Sequence, residues 1–357
     1  MGGDLISVII PTWNRMWCIC DCLDSAIEQR SVDFEIIVVD DGSDDETEAM
    51  LPEIIEARKS TMVLDQLFRT EEAERTKKNN RENFDIALKE FMEENRAEIE
   101  STLTPESDPV KMKEKVDKVL SEIGKCCWEV LEKDIEETIG VGRGLEDITL
   151  IRLPERRGVS AARNVGIKAA KGNLITFLDS DDVWLPGKLE AQAEYMAQNP
   201  EIGFSQCLER WMRNGRKVNP GVKHRKKGGD IFIESLGLCL ISPSAVIIRK
   251  ELLDEVGLFD ESLMAAEDYD LWLRMLVRHP VGLLEKELVV RNGGRPDQLS
   301  ATPGLDRYRV MALKKLLAKE KLSPERKRAV LAELINREAI FENGKKKRIK
   351  AGRPSDL

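Results

Sequence analysis

The sequence predicts an α/β fold, with a mixed sheet flanked by helices, an inserted α-helical hairpin and C-terminal helices. Apolar runs that stop at polar turn residues recur along the chain, which is typical of strands buried on both faces. Segments with apolar residues at helical spacing separate these runs, and strand, helix and strand in succession predict βαβ units. Residues 52–147 are rich in Glu and Lys and carry only the helical period, which predicts the insertion.

The first βαβ unit lies at the start of the chain. The pattern predicts a buried strand over 5–10, a helix over about 16–30 and a second strand over 34–39. Because parallel strands end at the same edge of a sheet, we expect the turns at 11–15 and 40–43 to be neighbours in space.

The second of these turns contains a candidate ligand-binding carboxylate. Asp41 could accept hydrogen bonds from a nucleotide base or ribose. The alternative is a plain turn in which Ser43 or Asp44 caps the helix that begins near residue 45. The residues alone leave both interpretations open.

An acidic turn follows the apolar run at residues 174–178. Asp179, Ser180, Asp181 and Asp182 place three carboxylates in four positions, and like charges this close repel unless a cation lies between them. Oxygen-only ligands favour Mg²⁺ or Mn²⁺, and the carboxyl end of a strand is where α/β proteins bind ligands. The alternative is an acidic turn in which Asp182 caps a following helix.

The insertion begins after a helix predicted at 45–51, and the sheet resumes only at 147–153. A breaker at 104–109 separates two amphipathic stretches, which we interpret as a helical hairpin. The apolar stripe of the first comprises Phe84, Ala87, Leu88, Phe91, Met92 and Ile99, and that of the second comprises Met112, Val116, Val119, Leu120, Ile123, Cys127, Val130 and Leu131. The two stripes bury each other, or they form a dimer or partner contact.

Two later helices carry candidate functional residues at their beginnings. A glycine leads into a helix with Arg163 and Asn164 in its early turns, where Arg163 could meet a phosphate or base or could be a surface arginine. Glu267 and Asp268 fall in the first turn of another helix, where acidic residues stabilise the helix dipole without any further function.

The remaining elements alternate between strands and helices. We expect strands at 202–207, 241–248 and 283–291, a hairpin turn at 213–216, and helices at 188–198, 252–256, 306–319 and 324–343. The loop at 292–300 contains two glycines, which indicates mobility or a close approach to a ligand. The basic tail, 345–350, is expected to be disordered, with weak attraction to anionic lipid as the functional alternative.

Composition excludes several classes of protein. The formal net charge of −9 over 357 residues argues against non-specific nucleic-acid binding. Seven cysteines without a C-x-x-C pair, and two histidines, argue against a zinc site and favour thiols in a reducing cytoplasm. The sequence has no signal-peptide pattern and no apolar stretch long enough to span a bilayer, so we expect a soluble protein.

Four stretches, in order, resemble the family 2 glycosyltransferases. They are VIIPTWNR, VVDDGSDD, GVSAARNVGI with ITFLDSDDVWLPGKL, and AAEDYDLWLRM. Each alone would be weak, whereas four in order are highly specific. The resemblance implies a GT-A fold, with a Rossmann-like mixed sheet, over residues 1–51 and 148–300. It leaves the insertion at 52–147, the helices at 301–343 and the tail at 344–357 outside the family pattern.

The resemblance also implies roles for individual residues. The implied nucleotide-sugar-binding residues are Pro11, Thr12, Asn14, Arg15, Asp41, Arg163, Asn164, Asp179 and Ser180. Asp179 and Asp181 look like the D-x-D pair, with Asp181 the direct ligand of Mn²⁺ or Mg²⁺ and Asp179 nearer the ribose. Asp268 resembles the catalytic base, with Glu267 beside it. Arg295 and Gln298 lie where a closing loop often covers the donor.

The implied chemistry agrees with these residue types. A divalent cation offsets the charge of a diphosphate leaving group, and one carboxylate can accept the proton of an attacking hydroxyl. One base with in-line attack implies inversion at the anomeric carbon. The expected donor is a UDP-sugar, and the expected acceptor is a glycan or lipid-linked precursor used in cell-surface glycan synthesis.

The residues fit two other functions less well. A nucleotidyltransferase would need a glycine-rich loop and a basic residue after the first strand, where this chain has Pro11, Thr12 and Trp13. A non-catalytic nucleotide-sugar-binding or scaffold protein would act through the helical insertion, and would be expected to lack Asp179, Asp181 or Asp268. We expect a cytoplasmic protein with peripheral contact to the inner membrane face through the tail, and a homodimer or partner contact through the insertion.

Overall fold

The computed structural model describes residues 5–102, 128, 145–213, 215–219, 221–295, 298 and 304–350. The strands are β1 Ile6–Thr12, β2 Phe34–Asp40, β3 Leu145–Arg152, β4 Leu174–Phe177, β5 Val183–Trp184, β6 Phe204–Arg213, β7 Arg216–Lys217, β8 Val246–Arg249 and β9 Val281–Gly293. The helices are α1 Ile19–Ile27, α2 Glu46–Thr102, α3 Val159–Ala169, α4 Lys188–Gln198, α5 Phe232–Gly237, α6 Lys250–Val256, α7 Glu267–Arg278, α8 Leu305–Lys319 and α9 Pro324–Lys350.

The strands form a mixed sheet in the order β3-β2-β1-β4-β8-β6-β9-β5, with β7 paired to β6. The first four strands are parallel, whereas β8 and β5 each run antiparallel to their neighbours. The predicted mixed sheet flanked by helices is therefore confirmed.

The register of the parallel strands brings their carboxyl ends level. Thr12 pairs with Asp40, and Asp40 pairs with Arg152 on the other side. Every residue of β1 and β2 is buried, because helices cover both faces of this part of the sheet. The sequence predicted this buried βαβ unit and the meeting of its two turns.

Helix α2 begins as predicted and continues through Pro52, the position at which the predicted insertion begins. A proline cannot donate a hydrogen bond to the carbonyl four residues earlier, which here is Glu48 O. Arg152 Nη2, on β3, donates to that carbonyl at 2.6 Å and so replaces the hydrogen bond that Pro52 cannot make. The helix is thereby able to continue.

Residues 60–143 form a compact unit of their own. Within it, the rings of Phe84 and Trp128 lie 5.6 Å apart and the Arg81 guanidinium lies 4.7 Å from the Trp128 ring. These contacts are of the kind that a helical hairpin makes. The rest of the second predicted helix and the predicted break at 104–109 lie outside the described residues, so the hairpin stays a prediction.

Two further expectations need correction. Asp182 does not cap a helix, because the following residues form strand β5 and pair with β9. The basic tail is helical as far as Lys350 rather than disordered from 344. Lys and Arg have high helix propensity and favour the last turns of a helix, where they offset its dipole.

The described residues contain no helix that is both long enough and apolar enough to cross a lipid bilayer. Elsewhere the elements follow the predicted order, with longer strands than expected at β6 and β9. The C-terminal helices α8 and α9 pack on the body through Leu313, Leu316 and Val330, all of which are buried.

Candidate active site

The turns after β1 and β2 bind each other and begin the site. The backbone N–H of Asn14 donates to Ser43 Oγ at 3.0 Å, and that of Arg15 donates to Thr47 Oγ1 at 3.0 Å. Asn14 is held at a φ of 52°, a left-handed conformation that costs energy in a residue with a side chain and that often occurs in binding sites. Pro11 and Thr12 are buried at the end of β1.

Asp41 binds backbone rather than capping a helix. Its two carboxylate oxygens accept hydrogen bonds from the N–H groups of Arg157 and Gly158 at 2.8 and 2.7 Å. Burial raises the pKa of Asp41 above its ordinary value, while these two donors act in the opposite direction. The predicted caps Ser43 and Asp44 bind Asp40 and Asn14 instead, and Asp45 caps α2.

The acidic turn after β4 contains carboxylates with different surroundings. Asp182 is buried, and its oxygens accept from Ser244 Oγ at 2.7 Å and from the Asn292 N–H at 3.0 Å. Asp181 Oδ2 accepts from Gln298 Nε2 at 2.9 Å. The turn is thus tied to β9 and to the loop that follows β9.

The charges of this turn fit a divalent cation. Burial raises the pKa of Asp181, and the charge of Asp179 raises it further. Burial and the same neighbouring carboxylates raise the pKa of Asp182 well above its ordinary value. A cation would relieve this repulsion, and carboxylate oxygens suit Mg²⁺ or Mn²⁺.

The donor set identifies which carboxylates could reach a metal. Both oxygens of Asp182 accept hydrogen bonds from protein groups, whereas Asp179 and Asp181 each have one oxygen without such a bond among the described residues. In that part of the chain, no three His, Cys, Asp or Glu side chains converge as a metal cage. Two carboxylates suit an ion whose other ligands are water and substrate phosphates.

Arg163 lies buried between two of the predicted acidic residues. Its Nη2 donates to Asp179 Oδ1 at 2.6 Å and its Nη1 donates to Glu267 Oε1 at 2.7 Å. Burial lowers the pKa of Arg163, but the two carboxylates more than offset this effect and raise it. The alternative of a surface arginine is therefore wrong, since only 3% of the side chain is exposed.

Asn164 organises the polypeptide next to the site. Its amide donates to Phe259 O at 2.9 Å and accepts from the Phe259 N–H at 3.0 Å. It also donates to Glu261 Oε1 at 3.0 Å. In this structure Asn164 fixes the chain just before α7.

The beginning of α7 presents the predicted catalytic pair. Ala266 precedes the helix at a φ of 57°, a second strained position at the site. Glu267 is buried, and burial together with the charge of Asp268 raises its pKa, against the lowering effect of Arg163. Asp268 is partly exposed and accepts a hydrogen bond from Cys239 Sγ at 3.6 Å. Asp268 is therefore the accessible carboxylate of the pair.

Several buried polar atoms of the site have no hydrogen-bond partner among the described residues. They are Thr12 Oγ1, Ser160 Oγ and Arg163 Nε. Buried polar atoms are nearly always paired in folded proteins, so such atoms mark a place where a polar ligand would complete the bonding. The hydroxyl of Ser180 is also buried, in the acidic turn.

Two of the described residues that follow β9 contact the site. The Arg295 guanidinium lies 3.2 Å from the centre of the Trp17 ring, and Gln298 binds Asp181 as described above. The resemblance singled out both residues. In the structure Gln298 contacts the acidic turn and Arg295 contacts the segment after β1.

Sequence reasoning missed a second layer of residues around the acidic turn. Ser244 Oγ donates to Asp182 and accepts from the Asp179 N–H at 3.1 Å, and Asn292 holds the turn from β9. Arg291 carries a raised pKa because the charges of Glu209, Asp182, Asp179 and Asp268 outweigh the effect of burial. The charged residues at the end of a predicted strand were a signal for Arg291.

Comparisons with known proteins were made for sequence and for fold. The sequence model of the family "Glycosyl transferase family 2" matches residues 7–72 and 128–257 and leaves 73–127, inside the predicted insertion, unmatched. The Escherichia coli UDP-Glc:alpha-D-GlcNAc-diphosphoundecaprenol beta-1,3-glucosyltransferase WfgD is 33% identical over 130 residues, which are 36% of this chain and 48% of that protein. The chain spans from about a fifth to about half of the length of the curated relatives that head the comparison.

Two solved structures share the fold. The S. aureus TarS structure in complex with UDP-GlcNAc has a TM-score of 0.55 and 18% identity, covering 94% of this chain and 73% of that one. The mannosyltransferase PcManGT from Pyrobaculum calidifontis, in complex with GDP-Man and Mn²⁺, has a TM-score of 0.51 and 16% identity, covering 98% and 76%. These similarities show the GT-A fold that the sequence predicted.

Proposed function

This chain belongs to glycosyl transferase family 2, and we propose that it moves a sugar from a nucleotide-sugar donor to an acceptor hydroxyl, with inversion and with Mn²⁺ or Mg²⁺. The observation that carries this proposal is the bond pattern of Arg163. Its guanidinium binds Asp179 of the acidic turn on one side and Glu267, the neighbour of Asp268, on the other. One side chain therefore sets the spacing between the proposed donor site and the proposed base.

The donor is proposed to lie along the carboxyl ends of β1, β2 and β4. The residues proposed to bind it are Pro11, Thr12, Asn14, Arg15, Asp41, Arg163, Asn164, Asp179 and Ser180. The unpaired hydroxyl of Thr12 and the unpaired Nε of Arg163 support this position, because a bound polar ligand would satisfy them. Asp41 is proposed to contact the base while it also accepts from the N–H groups of Arg157 and Gly158, since each carboxylate oxygen can accept a second hydrogen bond.

The proposed metal ligands are Asp181 and Asp179. When bound, the metal would offset the negative charge that develops on the departing nucleoside diphosphate. Asp182 is proposed to support the turn, since Ser244 and Asn292 occupy its oxygens. Gln298 binds Asp181 from the loop after β9, so this loop is proposed to cover the donor.

Asp268 is proposed to take the proton from the acceptor hydroxyl. It is the partly exposed member of the acidic pair, and a carboxylate at the start of a helix is stabilised by the helix dipole. Glu267 is proposed to position the start of α7 through Arg163 rather than to touch the substrate, because its side chain is only 5% exposed. A single base supports inversion.

The substrates are proposed from the relatives. The named donors of WfgD and of the TarS complex are uridine nucleotides, which favours a UDP-sugar here. The named acceptor of WfgD is a sugar on diphosphoundecaprenol, which favours a glycan or lipid-linked precursor of a cell-surface glycan. We propose that the reaction takes place at the inner face of the membrane, and that the helical insertion contacts a second copy or a partner.

A panel of UDP-, GDP- and dTDP-sugars tests the proposal. We expect release of nucleoside diphosphate from one donor class with Mn²⁺ or Mg²⁺, and loss of this release with EDTA. The proton NMR spectrum of the transferred sugar should show the anomeric configuration opposite to that of the donor. Release that is independent of the metal, or a retained configuration, would contradict the mechanism, and no turnover of any donor would favour the scaffold function.

A further inference from the structure

The segment between β6 and α5 has a charge opposite to that of the chain as a whole. Residues 210–227, here the basic segment, contain eight Lys or Arg residues and no Asp or Glu, in a chain of net charge −9. Of the described side chains in it, those of Arg213, Arg216, Lys223 and Arg225 are exposed and form no ion pair with any described carboxylate. Such a concentration of uncompensated charge attracts anions.

The basic segment begins next to the acidic turn. In the register of β6 and β9, Trp211 lies opposite Arg291 and Met212 lies opposite Asn292. Asn292 is the residue whose N–H binds Asp182. One strand, β9, therefore separates the proposed donor site from the start of the basic segment.

Trp211 connects the two regions. The Arg291 guanidinium lies 5.1 Å from the centre of the Trp211 ring, and the His224 ring lies 5.3 Å from it on the basic segment. The charge of Asp268, the proposed base, also raises the pKa of Arg291. Arg291, Trp211 and His224 thus form a row of side-chain contacts that leads from β9 to the residues beside His224, Lys223 and Arg225.

Buried bonds hold the basic segment in place. Lys226 Nζ donates to Gln206 Oε1 at 3.0 Å and to Ser242 Oγ at 2.9 Å, and lies 3.5 Å from the buried carboxylate of Glu209. Gln206 Nε2 donates to Lys227 O at 3.0 Å. Because Lys226 is anchored in this way, its neighbours are presented to solvent in an ordered arrangement, which lowers the entropy lost on binding.

We propose that the basic segment, with Arg291, binds a phosphate group of the acceptor, so that the acceptor of this enzyme is a phosphate-bearing molecule. The proposal rests on the proposed transferase function, which it extends by naming the acceptor class and its site. The phosphate lies on Lys223 and Arg225, and the sugar hydroxyl that is attacked lies toward Asp268 along Trp211. Lys and Arg are the residues that proteins use for phosphate groups.

His224 provides a direct readout of this site. The chain has only two histidines, and the other, His279, lies 3.1 Å from Glu255 on α6. The pKa of His224 is lowered by burial and by the positive charges of Lys223 and Arg291. A phosphate bound between those charges would raise the pKa of His224, whereas His279 lies outside the proposed site.

The test is an NMR titration of the two imidazoles with inorganic pyrophosphate, in EDTA so that metal-dependent binding at the donor site is suppressed. We expect a saturable shift and a raised pKa for His224 alone. The variant Lys223→Ala/Arg225→Ala should bind pyrophosphate about ten-fold more weakly, because two charge-assisted contacts are lost. The matched variant Lys346→Ala/Lys347→Ala, in the basic tail, should bind it as the wild type does.

Two results would overturn the proposal. The first is a pyrophosphate titration in which His224 shows no NMR shift, or in which both histidines shift alike, or in which the two double variants bind pyrophosphate with equal affinity. The other comes from vesicles of phosphatidylcholine with and without phosphatidylglycerol, included because Val222 in the basic segment is 91% exposed. Binding of the phosphatidylglycerol vesicles that needs Lys223 and Arg225, without a response to pyrophosphate, would make the segment a membrane contact rather than an acceptor site.

The same samples separate this proposal from the proposed function. Calorimetry of UDP with Mn²⁺ reports on the donor site and does not depend on the basic segment. UDP binding without a His224 response to pyrophosphate would refute the acceptor site and leave the transferase intact. A His224 response without binding of any nucleotide would keep the phosphate site and refute the transferase.

Discussion

Arg163 Nη1 donates a hydrogen bond to Glu267 Oε1 at 2.7 Å, although the two residues lie 104 positions apart in the chain. Both side chains are almost fully buried, at 3% and 5% exposure. The same guanidinium holds Asp179. The bond therefore fixes α7 against α3 and the acidic turn, and it determines where Asp268 stands.

Replacing Arg163 by Met should destabilise the protein strongly. The change leaves the Glu267 carboxylate buried without its cation, and breaking such a pair costs about 3–5 kcal/mol. Arg157→Met is the matched control, because its pair with Glu261 at 2.8 Å is exposed and should contribute no more than about 1 kcal/mol. Urea denaturation gives both free energies of unfolding, and equal losses would show that the buried pair has no special weight.

Asp268→Asn should lower kcat by about 10²–10⁴-fold, because the amide cannot accept the acceptor proton. Binding of the donor should change little, since Asp268 is assigned to the acceptor side. Asp254→Asn, an exposed change on α6, is the control and should keep full turnover. A variant Asp268→Asn that retains wild-type kcat would remove Asp268 from the role of base.

Gly42→Ala should be far more damaging than Gly215→Ala. Both glycines have left-handed φ values, +68° and +72°, so both variants carry the same backbone strain of about 1–2 kcal/mol. A Cβ at Gly42 would lie 2.6 Å from the Glu155 backbone, whereas a Cβ at Gly215 has nothing within 4 Å. Thermal unfolding should show a clearly lower Tm for Gly42→Ala, and equal Tm values would contradict this packing of the Asp41 turn.

Lys188 should make stability depend on pH. Its Nζ is fully buried, donates to Thr176 Oγ1 at 2.7 Å and lies 3.8 Å from the Trp184 ring. Burial lowers the pKa of Lys188 to about 7 from its ordinary 10.5. Between these values the unfolded chain binds more protons than the folded one, so the free energy of unfolding rises with pH in this window.

The free energy of unfolding should rise by up to about 5 kcal/mol from pH 7 to above pH 10. This amount corresponds to the difference between the pKa values of Lys188 in the folded and unfolded chain. Below pH 7 both states are protonated and the contribution is at its minimum. Lys188→Met removes the titrating group and should remove this part of the slope. Denaturation curves of the two proteins between pH 7 and 9.5 provide the comparison, and parallel slopes would place the pKa of Lys188 near its unperturbed value.

Much of the fold followed from local patterns. Buried strands such as β1 and β2, and helices such as α4, are encoded by apolar runs and by helical spacing within a few residues. The two strands whose ends were underestimated, β6 and β9, pair with each other. The added residues of β6 mix apolar and charged side chains, so its end is defined by pairing with β9 rather than by a continuous apolar run.

The continuation of α2 past Pro52 could not be predicted from its neighbours. Pro52 has no N–H to donate to the Glu48 carbonyl. Arg152, on a strand 100 residues later in the chain, donates to this carbonyl instead. The strand β5 has the same origin, because its pairing with β9 overrides the helix-capping pattern at Asp182. Long-range partners decide both cases, and a sequence does not display them.

The sequence predicted which residues lie in the candidate site better than it predicted the contacts that they make. Sequence reasoning brought Asp179, Arg163 and Glu267 to one region, but it did not predict that Arg163 pairs with both carboxylates. Ser244 was missed because one serine near a strand end has no pattern of its own, and Arg291 was counted only as the last residue of a predicted strand. Their roles arise only when β8 and β9 meet the acidic turn.

The central claim is a metal-dependent nucleotide site at Asp179 and Asp181. Calorimetric binding of UDP, GDP and dTDP, with and without Mn²⁺, tests it most directly on the wild type, on Asp181→Ala and on the control Asp254→Ala. We predict that one nucleotide binds only with Mn²⁺, that Asp181→Ala loses this binding and that the control retains it. Binding that ignores both Mn²⁺ and Asp181, or the absence of binding by all three nucleotides, would contradict it.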